Sequence, residues 1–222
     1  SYQDMMFKRF DEGNTEILFA RPGGCDYSEY EKLATPLRSS GNGGLGVTQS
    51  LVDAFSMENG LPITDPASNY KEEGFSDADE QRDNTDWASI CNGGSITRKG
   101  TYNMYCHREP RFYICVNFNN GYFNQEDRVY NMFRGNGTET DNNGTHDAPQ
   151  NGYFAKKKIC YKDNVKQGSY QYRPGILYRL GEAYLNYAEA LNECDPGNEE
   201  ILTYLNKIRE RAGVRQYTTG NT

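Results

Sequence analysis

Apolar residues recur at three- and four-residue spacing over residues 176–213. Ile176, Leu177, Leu180, Tyr184, Tyr187, Ala188 and Leu191 fall on one face of a helix, with Glu182, Asn186, Glu189 and Glu193 on the other. The break at residues 194–198 (CDPGN) offers Asp195 or Asn198 as a helix cap and Pro196 for a first turn. Ile201, Leu202, Leu205, Ile208 and Ala212 then form a second stripe, with Arg209 and Arg211 near its negative end and Gly213 as a left-handed stop. The pattern predicts a helical hairpin over residues 176–213, closed through Leu180, Tyr184, Leu191, Leu205 and Ile208.

The remaining apolar runs are short. Residues 1–10 carry Tyr2, Met5, Met6 and Phe10 at helical spacing, as the tail of a longer helix would. Residues 16–20 read as a strand ended by Pro22 and two glycines, and residues 47–57 as a helix followed by a turn at 57–60. Residues 111–118, after Pro110, read as a strand because they alternate and are rich in Phe, Tyr, Ile and Val, and residues 152–161 read as a second. Residues 21–46 and 70–99 read as loops, residues 135–150 as a mobile Asn/Gly/Thr segment, and residues 216–222 as a polar tail.

Composition refines this picture. Only 36% of the 222 residues are hydrophobic and 23 are glycine, which fits a loop-rich chain, but 18 Tyr and 10 Phe exclude a disordered polar one. A net charge of −7 and no basic cluster beyond Lys156, Lys157 and Lys158 exclude a nucleic-acid surface. No apolar stretch approaches the roughly 20 residues that cross a bilayer. The six cysteines form no CxxC, so neither a zinc ribbon nor a thioredoxin-like motif is expected; their pairing in an exported protein stays open.

A single hairpin with Ala183, Ala188 and Ala190 on its first helix resembles a tetratricopeptide-like unit. More specifically, RLGEAYLNYAEALNE (179–193) followed by YLNKIRERAGV (204–214) resembles the helix pair of the SusD/RagB family of Bacteroidetes nutrient-binding lipoproteins. TEILFARP (15–22), TQSLVDAFSMENGLPI (48–63), HREPRFYICV (107–116) and GYFAKKKI (152–159) resemble further segments of that family in the same order. The resemblance implies a mainly α, SusD-like fold with tetratricopeptide-like helical hairpins, long loops and a few short strands. It implies one region over residues 1–222, the C-terminal portion of such a protein, loop-rich over 21–170. It further implies capture of a glycan at the outer-membrane surface and delivery to a TonB-dependent SusC-like transporter. The lipid anchor would lie outside this chain. Peptide capture of the RagB kind is the alternative within the family, and an exported carbohydrate-active enzyme the alternative outside it.

Motifs for other chemistry fail on context. GNGGLG at residues 41–46 has the letters of a dinucleotide fingerprint but no strand before it. The acidic run 76–86 puts Arg82 where a calcium loop needs its glycine and closes without Glu, so no metal is expected there. Cys106 beside His107 suggests a thiol–imidazole pair, but HREPRF occupies a structural arginine-acid-proline-arginine motif by the resemblance, and adjacency alone does not activate a thiol. Neither a nucleophile elbow nor a defined carboxylate pair is evident, so catalysis and cofactors are not expected. The sequons at Asn136 and Asn143 are inert in a bacterial setting. Aromatic platforms for sugar rings remain. By the resemblance, the ligand surface draws on the loop between the ILFARP-like strand and the TQSLVDAF-like helix, which offers Tyr27, Tyr30 and Asn42; Trp87 is an outside candidate.

Overall fold

The computed structural model describes residues 2–81, 95–123, 125–126, 128–132, 149, 151–218 and 220. In chain order the main elements are α1 (Tyr2–Phe7), β1 (Ile17–Arg21), α2 (Ser28–Ala34), α3 (Gln49–Asp53), β2 (Glu80–Gln81) and β3 (Ser95–Thr97). They continue with α4 (Pro110–Cys115), β4 (Val116–Asn117), β5 (Tyr122–Phe123), β6 (Arg128–Val129), β7 (Phe154–Ala155), β8 (Gly175–Arg179), α5 (Leu180–Cys194) and α6 (Glu199–Arg211). The strands form four antiparallel pairs, β1–β8, β2–β3, β4–β7 and β5–β6. The described residues are therefore mixed in structure, with moderate helix rather than a mainly α fold. Among the described residues only α5 and α6 are long, at 15 and 13 residues.

The hairpin forms as its periodicity predicts, with one correction. Residues 175–179 are a strand, not the first helical turn, because they pair with β1: Ile17 lies opposite Arg179 and Ala20 opposite Ile176. The Leu180 N–H donates to Glu16 O at 2.8 Å, which hands the strand over to α5. Asn198 caps α6 by accepting from Glu200 N. At the other end Gly213 has φ 69°, Val214 N donates to Arg209 O and Gly213 N to Glu210 O, the paired bonds of a Schellman stop. Ala188 is buried, while Leu180, Tyr184, Leu191, Leu205 and Ile208 are half-buried. Tyr204 fills the seam with edge and tilted contacts to Tyr187 and Tyr184 at 4.8 and 5.1 Å.

The body is an aromatic core. Phe112, Phe118 and Tyr105 stack on one another, with centroids 4.7–6.4 Å apart, and Val52, Met104, Tyr113 and Val116 surround them. The expected strand at 111–118 is instead α4 followed by two strand residues. Pro110 occupies a first-turn position and starts the helix, and residues 112–115 are all buried, so the alternation read from the sequence does not separate a core face from a solvent face. Of the strand expected at 152–161 only Phe154 and Ala155 pair, with β4. The loop expected over 21–46 contains α2. Its signal was present in Asp26, which accepts from Ser28 N at 2.8 Å, and in the Glu29–Lys32 pair one turn on. Residues 70–99 contain β2 and β3 as well as loop. Residues 82–94 and most of 133–150, with Trp87, both sequons and Cys91, lie outside the described residues.

Candidate functional site

The HREPRF stretch is a clasp. Arg108 is fully buried and its guanidinium donates to three carbonyls, Met104 O at 2.9 Å, Val52 O at 2.6 Å and Phe55 O at 2.7 Å, so it closes the C-terminal end of α3. Glu109 precedes Pro110 as the first residue of the α4 cap. It accepts from Ser56 N at 3.0 Å and from Arg111 at 2.7 and 2.8 Å. The bonds to Val52, Phe55 and Ser56 cross more than fifty residues of sequence and set the position of His107 just before them.

His107 adopts φ 56°, the left-handed region that a residue with a β-carbon seldom occupies. Two backbone bonds hold it there. Its N–H donates to Glu80 Oε2 at 2.9 Å, and its carbonyl accepts from Glu58 N at 2.7 Å. Glu80 is buried on β2, where Oε2 also accepts from Thr97 Oγ1 at 3.1 Å and Tyr113 OH at 3.3 Å. The imidazole Nδ1 then stands 3.2 Å from Glu58 Oε1 and 3.9 Å from Glu80 Oε1. All three groups line a cavity of about 600 Å³. Asn59, Lys71, Asp77 and Asn103 line it too, as does Phe75, whose ring is 64% exposed and meets Tyr102 edge-on at 5.5 Å. The cavity thus joins an apolar ring face to a polar wall.

Cys106 lines the same cavity, in surroundings that do not activate a thiol. It is buried, its sulfur contacts Tyr102 O at 3.8 Å, and burial pushes its thiol up, the opposite of activation. Cys25, Cys115, Cys160 and Cys194 are likewise free thiols.

Of the sequence-derived ligand residues, Tyr27 lines a separate cavity together with Lys157 and Lys158. Tyr27 and Tyr30 meet edge-on at 6.2 Å. Both rings are half-buried and their hydroxyls are engaged: Lys158 Nζ donates to Tyr27 OH at 2.5 Å, and Tyr30 OH donates to Lys157 O at 2.7 Å. Burial pushes the Tyr30 hydroxyl up to about 12. Beneath them Arg173 joins the buried carboxylates of Glu31 and Asp163, each at 2.5 Å. Asn42 is exposed on the glycine-rich segment, where the N–H groups of Gly41, Asn42, Gly43 and Leu45 are occupied. Asn42 N donates to Lys32 O, Gly43 N to Thr35 O and Leu45 N to Leu33 O, so this segment caps α2 and cradles no phosphate. Gly41 is required there, since a β-carbon would meet Thr35 O at 2.0 Å. Trp87 lies outside the described residues. Sequence reasoning singled out neither Glu58 nor Phe75 and weighed Glu80 only within the acidic run 76–86; the exposed pairing of Phe75 with Tyr102 comes from a long-range bridge with no local signature.

The SusD family model matches residues 4–222. The chain belongs to the SusD family. Solved structures similar to this SusD-family chain include BT4246, at 24% identity and a TM-score of 0.69, matching 97% of this chain and 36% of that one. A SusD-like protein (BF3747) from Bacteroides fragilis NCTC 9343 matches at 25% identity and a TM-score of 0.61, over 97% of this chain and 40% of its own. A SusD-like carbohydrate binding protein (BF0978) from the same strain matches at 17% identity and a TM-score of 0.66, over 98% and 37%. The chain thus spans 36–40% of the length of these structures. No curated protein matches it. Among the described residues no helix is long and apolar enough to cross a membrane.

Proposed function

We propose that this SusD-family chain captures an oligo- or polysaccharide without chemically altering it, and that the cavity beside Phe75 receives the sugar. The observation that carries this reading is the exposed Phe75 ring at the rim of a 600 Å³ cavity whose wall carries Asn59, Asp77 and Asn103. A sugar presents an apolar C–H face that stacks on a ring and hydroxyls that bond to amides and carboxylates. The similar structure described as a SusD-like carbohydrate binding protein supports the same ligand class. In the family setting the bound glycan passes to a TonB-dependent SusC-like transporter at the outer-membrane surface, with the protein held there by a lipid anchor.

Affinity electrophoresis in gels cast with candidate polysaccharides tests the reading, with calorimetric titration of any hit. Phe75→Ala is expected to weaken binding roughly tenfold, the equivalent of about 1.4 kcal/mol of ring stacking. Its melting temperature should stay at the parent value because the ring is exposed. The paired variant Tyr27→Ala/Tyr30→Ala decides between the two cavities. If it abolishes retardation while Phe75→Ala does not, the site lies beside Tyr27 instead. Release of reducing ends from a bound polysaccharide would overturn the non-catalytic reading.

A further inference from the structure

We infer that Glu58, Glu80 and His107 form a binding site for one divalent transition-metal ion of the zinc class. This is independent of the glycan reading. One oxygen from each carboxylate and one imidazole nitrogen lie within 4.8 Å of one another. Bonds of about 2.0–2.2 Å to zinc set neighbouring ligand atoms about 3–3.5 Å apart. The 3.2 Å separation of His107 Nδ1 from Glu58 Oε1 already has that size, and the 3.9 Å separation from Glu80 Oε1 needs only a small inward movement. Glu58 and His107 are exposed, so their side chains have room to make it.

The three ligands come from separate parts of the chain, and the backbone binds them to one another. Glu58 N donates to His107 O, and His107 N donates to Glu80 Oε2, so the set is assembled before any ion arrives. Glu80 has the surroundings of a metal ligand. Thr97 and Tyr113 hold one carboxylate oxygen by hydrogen bonds, which orients the other toward His107. His107 occupies a left-handed position where Gly or Asn would be less strained, and its imidazole is what that position contributes to the cluster. The donor set chooses the metal class. An imidazole nitrogen disfavours calcium and magnesium, which take oxygen ligands, and two carboxylates with one imidazole suit zinc and its neighbours. Three protein ligands beside an open cavity leave a fourth position for water or a ligand oxygen.

The test titrates the chelator-stripped chain with zinc chloride alone, by calorimetry and by melting, and repeats the titration with calcium chloride. One zinc per chain is expected, with a raised melting temperature, and no response to calcium. Glu58→Gln and His107→Gly should each weaken zinc binding at least about tenfold. Without zinc, Glu58→Gln should melt as the parent does, and His107→Gly at or above it, because glycine accepts the left-handed backbone. Glu80 is left intact because its buried bonds support the fold. Absence of zinc binding overturns the proposal, and leaves His107 as a polar neighbour of the two glutamates. Zinc binding unchanged in both variants also overturns it and moves the metal to the free thiols. Calcium binding as strong as zinc overturns the metal class.

Discussion

Replacing Glu31 with Gln is expected to invert the order of stability between parent and variant as pH rises. Glu31 is fully buried on α2, with Oε2 at 2.5 Å from Arg173 and Oε1 accepting from Gln125 at 2.7 Å. The same guanidinium meets Asp163 at 2.5 Å and donates to Lys158 O and Gln171 O. One cation thus serves two carboxylates in a dry site, and one proton makes the cluster neutral. Burial pushes Glu31 up to about 8, Asp163 adds to the rise, and Arg173 and Gln125 oppose it.

The sign follows from which state holds the proton. Below about 4.5 both folded and unfolded chains are protonated at this position. Between about 4.5 and 8 the folded chain keeps a proton that the unfolded chain has released, so stability falls as pH rises through that window and levels off above it. At 1.36 kcal/mol per pH unit the whole window bounds the loss at about 5 kcal/mol. Gln mimics the protonated acid at every pH, so Glu31→Gln should lie within about 1–2 kcal/mol of the parent at pH 5. At pH 9 it should exceed the parent by up to several kcal/mol. Urea denaturation of both proteins at half-unit steps from pH 5 to 9 reads this directly. Parallel profiles, or a parent that gains stability over the window relative to the variant, would refute the reasoning.

Three further outcomes follow from the packing. Arg108→Ala should cost about 3–5 kcal/mol, because it empties the α3 clasp and leaves Val52 O, Phe55 O and Met104 O without their buried donor; urea midpoints measure it. Leu205→Asp should destabilise the hairpin by about 2–3 kcal/mol, less than at a fully buried site because Leu205 is half-buried; an unchanged melt would remove that stripe from the core. Tyr27→Ala/Tyr30→Ala should lower the melting temperature, unlike Phe75→Ala, since both hydroxyls bond to residues 157–158 and both rings are half-buried.

The helical hairpin was legible because its determinants are local. A 3.6-residue stripe, the Asn198 cap and the Gly213 stop all lie within a turn or two of the backbone they direct. The family wording was legible for a related reason, since residues such as Arg108, Glu109 and Pro110 are tied to one backbone geometry. Partnership across the chain was not legible. Residues 176–179 fit a helix by pattern, and became part of a strand because β1 supplies backbone bonds from more than 150 residues away. Residues 111–115 fit a strand by their alternation, and became a helix because residues 112–115 are all buried, so no alternating face formed, while Pro110 started the turn. The cluster of Glu58, Glu80 and His107 has no spacing signature at all. It exists because two backbone bonds and the Arg108 clasp bring three distant segments to one cavity, and side-chain chemistry at a site is decided by those distances rather than by order along the chain.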